Sequence, residues 1–291
     1  MSHPKPNLIF RKAKLAGKTV EKYAAKKITV PQIRGETLFG FHPILEAIRA
    51  EKREIFRCFL KKSIISRAEN DWKIAEILRN LENRKIQQNL VSDDQLDRLT
   101  EFQLHNGICL DVSRLEFTAY ESKKLSIFID NVLDPGNIGA ISRSAWYFGA
   151  DGISYANRRG PKCITPSMSK SSCGALEHLP IEKLATFDAF RHKIKSQGGE
   201  IVATCDPRAA GNLGIATKSL ENWRPASQNI GLVLGDEGRG IGAKVLEMCD
   251  TVVAIRGARN DATNVTSLNV SVVAALLLHH ISTHQRNQDN F

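Results

Sequence analysis

VTSLNVSVVAALLLHH spans residues 265–280. Ser267, Asn269 and Ser271 come first and lead into an apolar run from Val272 to Leu278. A surface helix carries a polar face, and beyond Ser271 this stretch has almost none. The pattern predicts a helix buried all round with polar groups at its mouth. Either Ser267 or Asn269 caps the helix and does nothing more, or the buried helix start holds polar groups around a ligand. The preceding sequence must decide.

Upstream, apolar runs of strand length alternate with helical patterns. LSIFID (125–130), GISYA (152–156), EIVATC (200–205), NIGLVLG (229–235) and TVVAIR (251–256) read as strands. NIGAISRSAWYFGA (137–150), PSMSKSSCGAL (166–176), FDAFRHKIKSQG (187–198) and AKVLEMC (243–249) read as helices. Near-continuous apolar strands between helices predict an α/β fold with a parallel sheet covered on both faces. Such sheets bind ligands beyond the carboxyl ends of their strands.

A smaller α/β module precedes this unit, over residues 35–115. TLFGFHPILEAI (37–48) reads as a turn and a short amphipathic helix. IFRCFLKK reads as a strand, and DWKIAEILRNLENRK as a helix with Ile74, Ile77, Leu78 and Leu81 on one face. QQNLVS reads as a short strand, DDQLDRLT as a capped helix and GICLDVSRL as a closing strand. Residues 116–124, including TAYESKK, form a polar linker to the unit 125–291.

The 291 residues suffice for two cores, and the 42% hydrophobic content is that of a globular protein. No apolar run reaches the roughly 18 residues needed to span a bilayer, so no membrane partner is expected. The net charge is +10, and residues 1–34 carry nine basic side chains against one acid, +8 of that total. Such an arm fits a polyanion partner, a targeting segment or a solvated tail. Six scattered cysteines form no C-x-x-C, which suits a reducing compartment and excludes a zinc motif. His280 and His284 lie four apart on a helix, but no carboxylate nearby completes a site, so no metal is expected. Asn264-Val265-Thr266 matches a glycosylation sequon and is discounted for want of a secretory signal.

Three loops follow strand ends. In DNVLDPGNIGAISRSA (130–145), Pro135-Gly136 forces a turn, and Asn137 is placed to cap the helix carrying Arg143. An arginine early on such a helix is a surface residue or suits a phosphate or developing oxyanion. LGDEGRGIG (234–242) has four glycines that permit close backbone approach. It is neither a Rossmann loop, because it comes late in the chain, nor a P-loop, because it lacks the lysine. The third is the opening segment. Together they bring Asn, Arg, Glu and Ser side chains to neighbouring strand ends.

DPGNIGAISRSAWYFGA, LVLGDEGRGI and SLNVSVVAALLLH, in this order, resemble the three motifs of the SPOUT class of methyltransferases, in its SpoU/TrmH branch. LFGFHPILEAIRA through HNGICLDV resembles the L30e-like substrate-binding domain often placed ahead of it. NRRGPKCITPSMSKSSCGALE and IRGARNDATNVT resemble the mitochondrial large-subunit rRNA branch, which methylates a guanosine 2′-hydroxyl. His105-Asn106-Gly107 and Asp236 depart from the usual pattern, which touches substrate details more than chemistry.

The resemblance implies a SPOUT fold with a deep C-terminal trefoil knot, a homodimer, large-subunit rRNA as partner and S-adenosyl-L-methionine as cofactor. It implies that Leu234, Gly235, Glu237, Gly238, Ile255 and Leu268 hold the cofactor. It makes Arg143 the catalytic arginine, with Asn137, Glu237, Ser267 and Asn269 around the reacting ribose. Arg143, Arg158 and Arg159 would meet RNA. The mitochondrial matrix is the implied location, with a bacterial cytoplasm as the alternative. Other readings stay open: a tRNA substrate, a non-catalytic RNA-binding protein, or a nucleotide-dependent enzyme using the glycine-rich loop.

Overall fold

The computed structural model describes residues 29–157, 159–236, 238–258 and 267–289. Four strands form the first sheet: β1 (Glu36–Phe39), β2 (Ile55–Leu60), β3 (Gln87–Leu90) and β4 (Ile108–Val112), in the order β1-β4-β2-β3. β4 runs antiparallel to β1 and β2, and β3 is parallel to β2. Helices α1 (Phe41–Ala50) and α3 (Trp72–Asn83) cover it, with α2 (Lys62–Arg67) and α4 (Asp93–Leu99) completing the module. Ile74, Ile77 and Leu81 are buried as their spacing predicts, while Leu78 packs at the edge. Ser92 and Gln95 form the capping box that opens α4. The stretch expected as a turn before α1 is β1 instead. Thr37, Leu38 and Phe39 are all buried there, and the strand pairs with β4, a partner more than 60 residues away that local propensity does not reveal.

The second sheet holds seven strands in the order β7-β6-β5-β10-β8-β11-β9, every pair parallel. These are β5 (Leu125–Asp130), β6 (Gly152–Ala156), β7 (Ile181–Leu184), β8 (Glu200–Thr204), β9 (Lys218–Ser219), β10 (Ile230–Gly235) and β11 (Thr251–Ala254). The central strand β10 pairs with β5 over six residues. β5 is buried along its whole length, as a strand covered on both faces must be. The helices are α5 (Pro135–Tyr147), α6 (Pro166–Ser171), α7 (Phe187–Lys195), α8 (Pro207–Asn212), α9 (Ala243–Glu247) and α10 (Val270–Asp289). One core lies under α5 and α10, with Ile127, Ile138, Ile141, Leu232, Leu277 and Ile281 in it. The other lies under α7, around Phe128, Phe190 and Val233.

Three expectations change. The helix expected over 166–176 stops at Ser171, because Cys173 and Gly174 take positive φ, and a 3₁₀ turn at Ala175–Glu177 follows. The polar linker is packed rather than free: the Thr118 amide donates to the Ile181 carbonyl, and the Tyr120 hydroxyl pairs with Ser154 Oγ at 2.9 Å. Helix α10 is not buried all round in the single chain. Ala274, Leu277, Leu278 and Ile281 face the core, while Val272 and Leu276 stand 45% and 42% exposed. The segment 259–266, which joins β11 to α10 and contains the sequon, lies outside the described residues, as does the arm 1–28.

The two sheets are fastened by polar contacts. Arg53, after α1, donates through Nε and Nη2 to Glu177 at 2.7 and 3.1 Å, and through Nη1 to Glu36 at 2.6 Å. Both Arg53 and Glu177 side chains are fully buried. Ser169 Oγ also donates to Glu177. At the rim, Glu46 meets His178 at 2.8 Å, and Lys52 Nζ donates to the His178 carbonyl.

Candidate active site

The carboxyl ends of β5 and β10 lie side by side, so the first two loops leave the sheet together. Asp134, not Asn137, caps α5. Its Oδ1 accepts from the Asn137 amide at 2.8 Å, and Pro135 occupies the first helical position, where a missing N–H costs nothing. The Asn137 side chain is thereby left for another partner. Its Oδ1 accepts from Asn269 Nδ2 at 3.0 Å, across 132 residues of chain. Asn269 also caps α10: its Oδ1 accepts from the Ser271 amide at 2.9 Å and from Ser271 Oγ at 2.5 Å. Asn269 thus caps the helix, as the first reading of the opening stretch expects, and reaches beyond its own helix as well. It joins the first loop to the third.

Arg143 lies one turn beyond Gly139 on the same face of α5. A Cβ at Gly139 would stand 2.5 Å from the Met168 carbonyl oxygen and from Ser171 Cβ. The glycine therefore lets α5 lie directly on α6. That contact aims Arg143 at the turn after α6, where its Nη1 donates to Cys173 Sγ at 3.2 Å. The guanidinium is otherwise exposed. Cys173 carried no functional expectation, and only the broken helix at 173–174 brings its sulfur to Arg143.

The second loop folds on itself. The Asp236 carbonyl accepts from the Gly240 amide at 2.9 Å, and its carboxylate accepts from the Arg239 amide at 3.2 Å. A Cβ at Gly235 would lie 2.6 Å from the Ile241 amide nitrogen and from Gly240 carbonyl carbon. Gly235 is needed, then, for its loop's own backbone. The Gly242 amide donates to Asp130 Oδ2 at 3.3 Å, tying this loop to the end of β5. Arg159 was expected at the RNA, but its guanidinium clamps Asp130, with Nε 2.7 Å from Oδ1 and Nη2 3.1 Å from Oδ2. A cavity of ≈ 340 Å³ opens here, lined by Asn131, Arg159, Arg239, Gly240 and Gly242.

Of the residues expected to hold a cofactor, Leu234 is buried at the end of β10, Ile255 is half-buried just past β11, and Gly238 is exposed in the loop. Leu268 is exposed directly before Asn269, and Ser267 beside it is exposed too. The donor set suits an adenosine: apolar side chains for the ring, and strand-end and loop backbone for its polar edge. Glu237 and Arg158 lie outside the described residues. His280 Nε2 bonds the Trp223 carbonyl at 2.9 Å and its ring stacks on Trp223, so it is engaged in packing. Among the described residues no group of three His, Cys, Asp or Glu is arranged for a metal, and no helix is long and apolar enough to cross a membrane.

Residues 124–279 match the family model of the SpoU rRNA methylase family, and residues 37–118 match that of the RNA 2′-O ribose methyltransferase substrate-binding domain. The chain is 33% identical over 275 residues to the human mitochondrial rRNA methyltransferase 1, covering 88% of this chain and 75% of that protein. It is 26% identical to a TrmH-family tRNA/rRNA methyltransferase of Bacillus subtilis, covering 84% of this chain and 94% of that one. The fold matches the SpoU methyltransferase AviRb of Streptomyces viridochromogenes, solved with AdoMet, at a TM-score of 0.65 and 20% identity, covering 98% of this chain and all of that one. With a family model matched across more than half its length and a relative above 30% identity, the chain belongs to the SpoU methylase family.

Proposed function

We propose that this RNA methyltransferase uses S-adenosyl-L-methionine to methylate a ribose 2′-hydroxyl, in a guanosine of mitochondrial large-subunit rRNA. The observation that carries the reading is the Asn137–Asn269 bond, which joins the first and third motifs across 132 residues of chain. The module 35–115 takes up RNA, and the unit 125–291 carries the reaction. Leu234, Gly235, Gly238, Ile255 and Leu268 would hold the cofactor, which supplies an activated methyl group to the 2′-oxygen. Glu237 and Arg158 keep the roles the family resemblance implies.

Arg143 brings a guanidinium, which is a cation and not a base. It acts as a fixed cation for the developing alkoxide, and the hydroxyl proton leaves to a neighbouring phosphate or to water. Asn137 and Asn269 order the two helix mouths around the ribose, with Ser267 at their rim. Arg159 acts through Asp130, holding the β5 end that supports both loops, rather than as a free RNA contact.

A second copy would cover Val272 and Leu276, the large apolar side chains that α10 leaves exposed in one chain, with Leu268 exposed just ahead of its cap. Val272 and Leu276 stand one turn apart on the same face of α10. The mitochondrial location rests on the name of the human relative and on the basic arm. The bacterial relatives keep a bacterial cytoplasm as the alternative.

The test is labelled S-adenosylmethionine with unmodified large-subunit rRNA, followed by alkaline hydrolysis. A labelled, hydrolysis-resistant dinucleotide is expected, and its bases name the acceptor. Label in tRNA instead would move the substrate. Cofactor binding without label in any RNA would leave a binding protein. Arg143→Ala is expected to bind cofactor normally and lose methyl transfer. Activity within threefold of wild type would remove Arg143 from the chemistry.

A further inference from the structure

Trp72 opens α3 with its side chain 61% exposed, whereas Trp223 is buried in the core. Asp71 caps the helix through the Lys73 amide at 3.1 Å, which fixes the turn from which the indole projects. Lys73 Nζ lies 5.7 Å from the ring centroid. Arg49 of α1 pairs with Glu76 of α3 at 2.9 Å, so the two helices pack together, with His42 at the exposed start of α1 and Lys73 at the start of α3. Burial, then the charge of Lys73, then those of Lys170 and Arg143, hold His42 below its usual pKa against the pull of Glu46. These charges come from both sheets' units.

Close backbone approach supports the same adjacency. A Cβ at Gly174 would strike Glu46 Cβ at 2.7 Å and the His42 carbonyl oxygen at 2.9 Å. Cys173, directly before it, holds Arg143. A Cβ at Gly40 would lie 2.4 Å from Lys170 Nζ, which bonds Asn106 at 3.2 Å. The acids on this face are already met. Glu46 pairs with Arg49 and His178, and Glu76 pairs with Arg49. The buried Arg53–Glu177 pair holds the junction in one arrangement.

We infer that an unpaired RNA strand leaves the acceptor site across this junction, along Arg143, Lys170, His42 and Lys73, and stacks a base on Trp72. This rests on the RNA methyltransferase reading and adds the path and the mode of recognition. Lysine and arginine would meet the phosphates, whereas an exposed indole offers a platform to any splayed base. A paired helix keeps its base faces inside the stack and has no use for the indole.

The experiment measures binding of a single-stranded oligouridine and of an RNA duplex of equal length to the full chain, for wild type, Trp72→Phe and Trp72→Ala. Trp72→Ala is expected to weaken the single strand roughly tenfold, from the stacking contribution of one base, and to leave the duplex unchanged. Trp72→Phe keeps most of the affinity. With rRNA, Trp72→Ala raises KM by a similar factor while kcat holds. Lys73→Gln lowers the slope of log affinity against log salt by about one, as loss of one phosphate contact does. That second variant reads the same face should Trp72→Ala fold poorly. Equal single-strand affinity in Trp72→Ala, or an equal loss for the duplex, would overturn the inference. If wild type methylates no RNA yet single-strand binding still depends on Trp72, the function proposed above fails and the RNA path stands.

Discussion

Gly139→Ala tests whether the contact between α5 and α6 sets the position of Arg143. Alanine in a helix is favoured over glycine by about 1 kcal/mol, so an unobstructed site would gain stability. Here the new Cβ would sit 2.5 Å from the Met168 carbonyl oxygen and from Ser171 Cβ, and 3.0 Å from the Ser172 amide. Ordinary carbon contacts lie at about 3.5–4.0 Å, so the helices must part by roughly 1 Å. Overpacking of this kind costs about 1–3 kcal/mol, which outweighs the propensity gain. The expected net loss is up to about 2 kcal/mol, a fall in Tm of a few degrees for a chain of this size. Arg143, one turn along the same face, moves with α5. A displacement of about 1 Å in a reacting group costs on the order of 100-fold in rate. The assay pairs a thermal melt with steady-state methyl transfer on rRNA and with cofactor calorimetry. A kcat reduced about 100-fold, with cofactor affinity little changed, is expected. A variant with wild-type kcat and an equal or higher Tm would show that the helices adapt without moving Arg143, and the reasoning would be refuted.

The remaining expectations concern the junction, the loop and the apolar face. Arg53→Met leaves Glu177 buried without its cation and should cost about 3–5 kcal/mol in chemical denaturation. Adding Glu177→Gln should recover most of that, and failure to recover would mean that Arg53 acts through packing alone. Gly235→Val pushes a branched side chain into the loop backbone at Gly240 and Ile241. Its cofactor affinity, read by calorimetry, should fall at least tenfold, about 1.4 kcal/mol, while the far-ultraviolet circular dichroism is kept. Unchanged affinity would place the pocket elsewhere. Leu276→Lys places a charge on the exposed stripe of α10 and should turn a dimer into a monomer in sedimentation velocity. A dimer that persists would move the interface to another face.

Much of the fold was legible because it rests on local signals. β5 and β10 read as strands since both faces are buried, which leaves no polar alternation to confuse them. The three loops announced themselves through Pro135-Gly136, the glycines of 235–242 and the polar residues ahead of α10. Asn269 as a cap was legible for the same reason, since a cap needs only the next turn of its own helix. β7 and β9 were not legible. They are short, partly exposed strands at opposite edges of the sheet, defined by their pairing more than by their pattern.

What the tertiary structure alone decided involves partners far apart in sequence. Arg53 sits in the charged run EKREI, where it reads as a surface residue, until Glu177 meets it from 124 residues away. Asn137 reads as the cap of α5, but Asp134 takes that place and releases it to Asn269. Arg159 reads as an RNA contact, and only the fold shows that its guanidinium also holds Asp130. Gly235 reads as room for close backbone approach, and the backbone that first uses that room is its own loop at Gly240 and Ile241. The apolar run at 272–278 reads as wholly buried, although Val272 and Leu276 stand exposed in the folded chain. Sequence determined most of the strands, helices and turns, because those follow from neighbours a few residues away, whereas β1, β7 and β9 needed their partners. Packing decided which polar group each functional side chain meets, because a hydrogen bond depends on distance in space, and the chain brings such pairs together only once both sheets have formed.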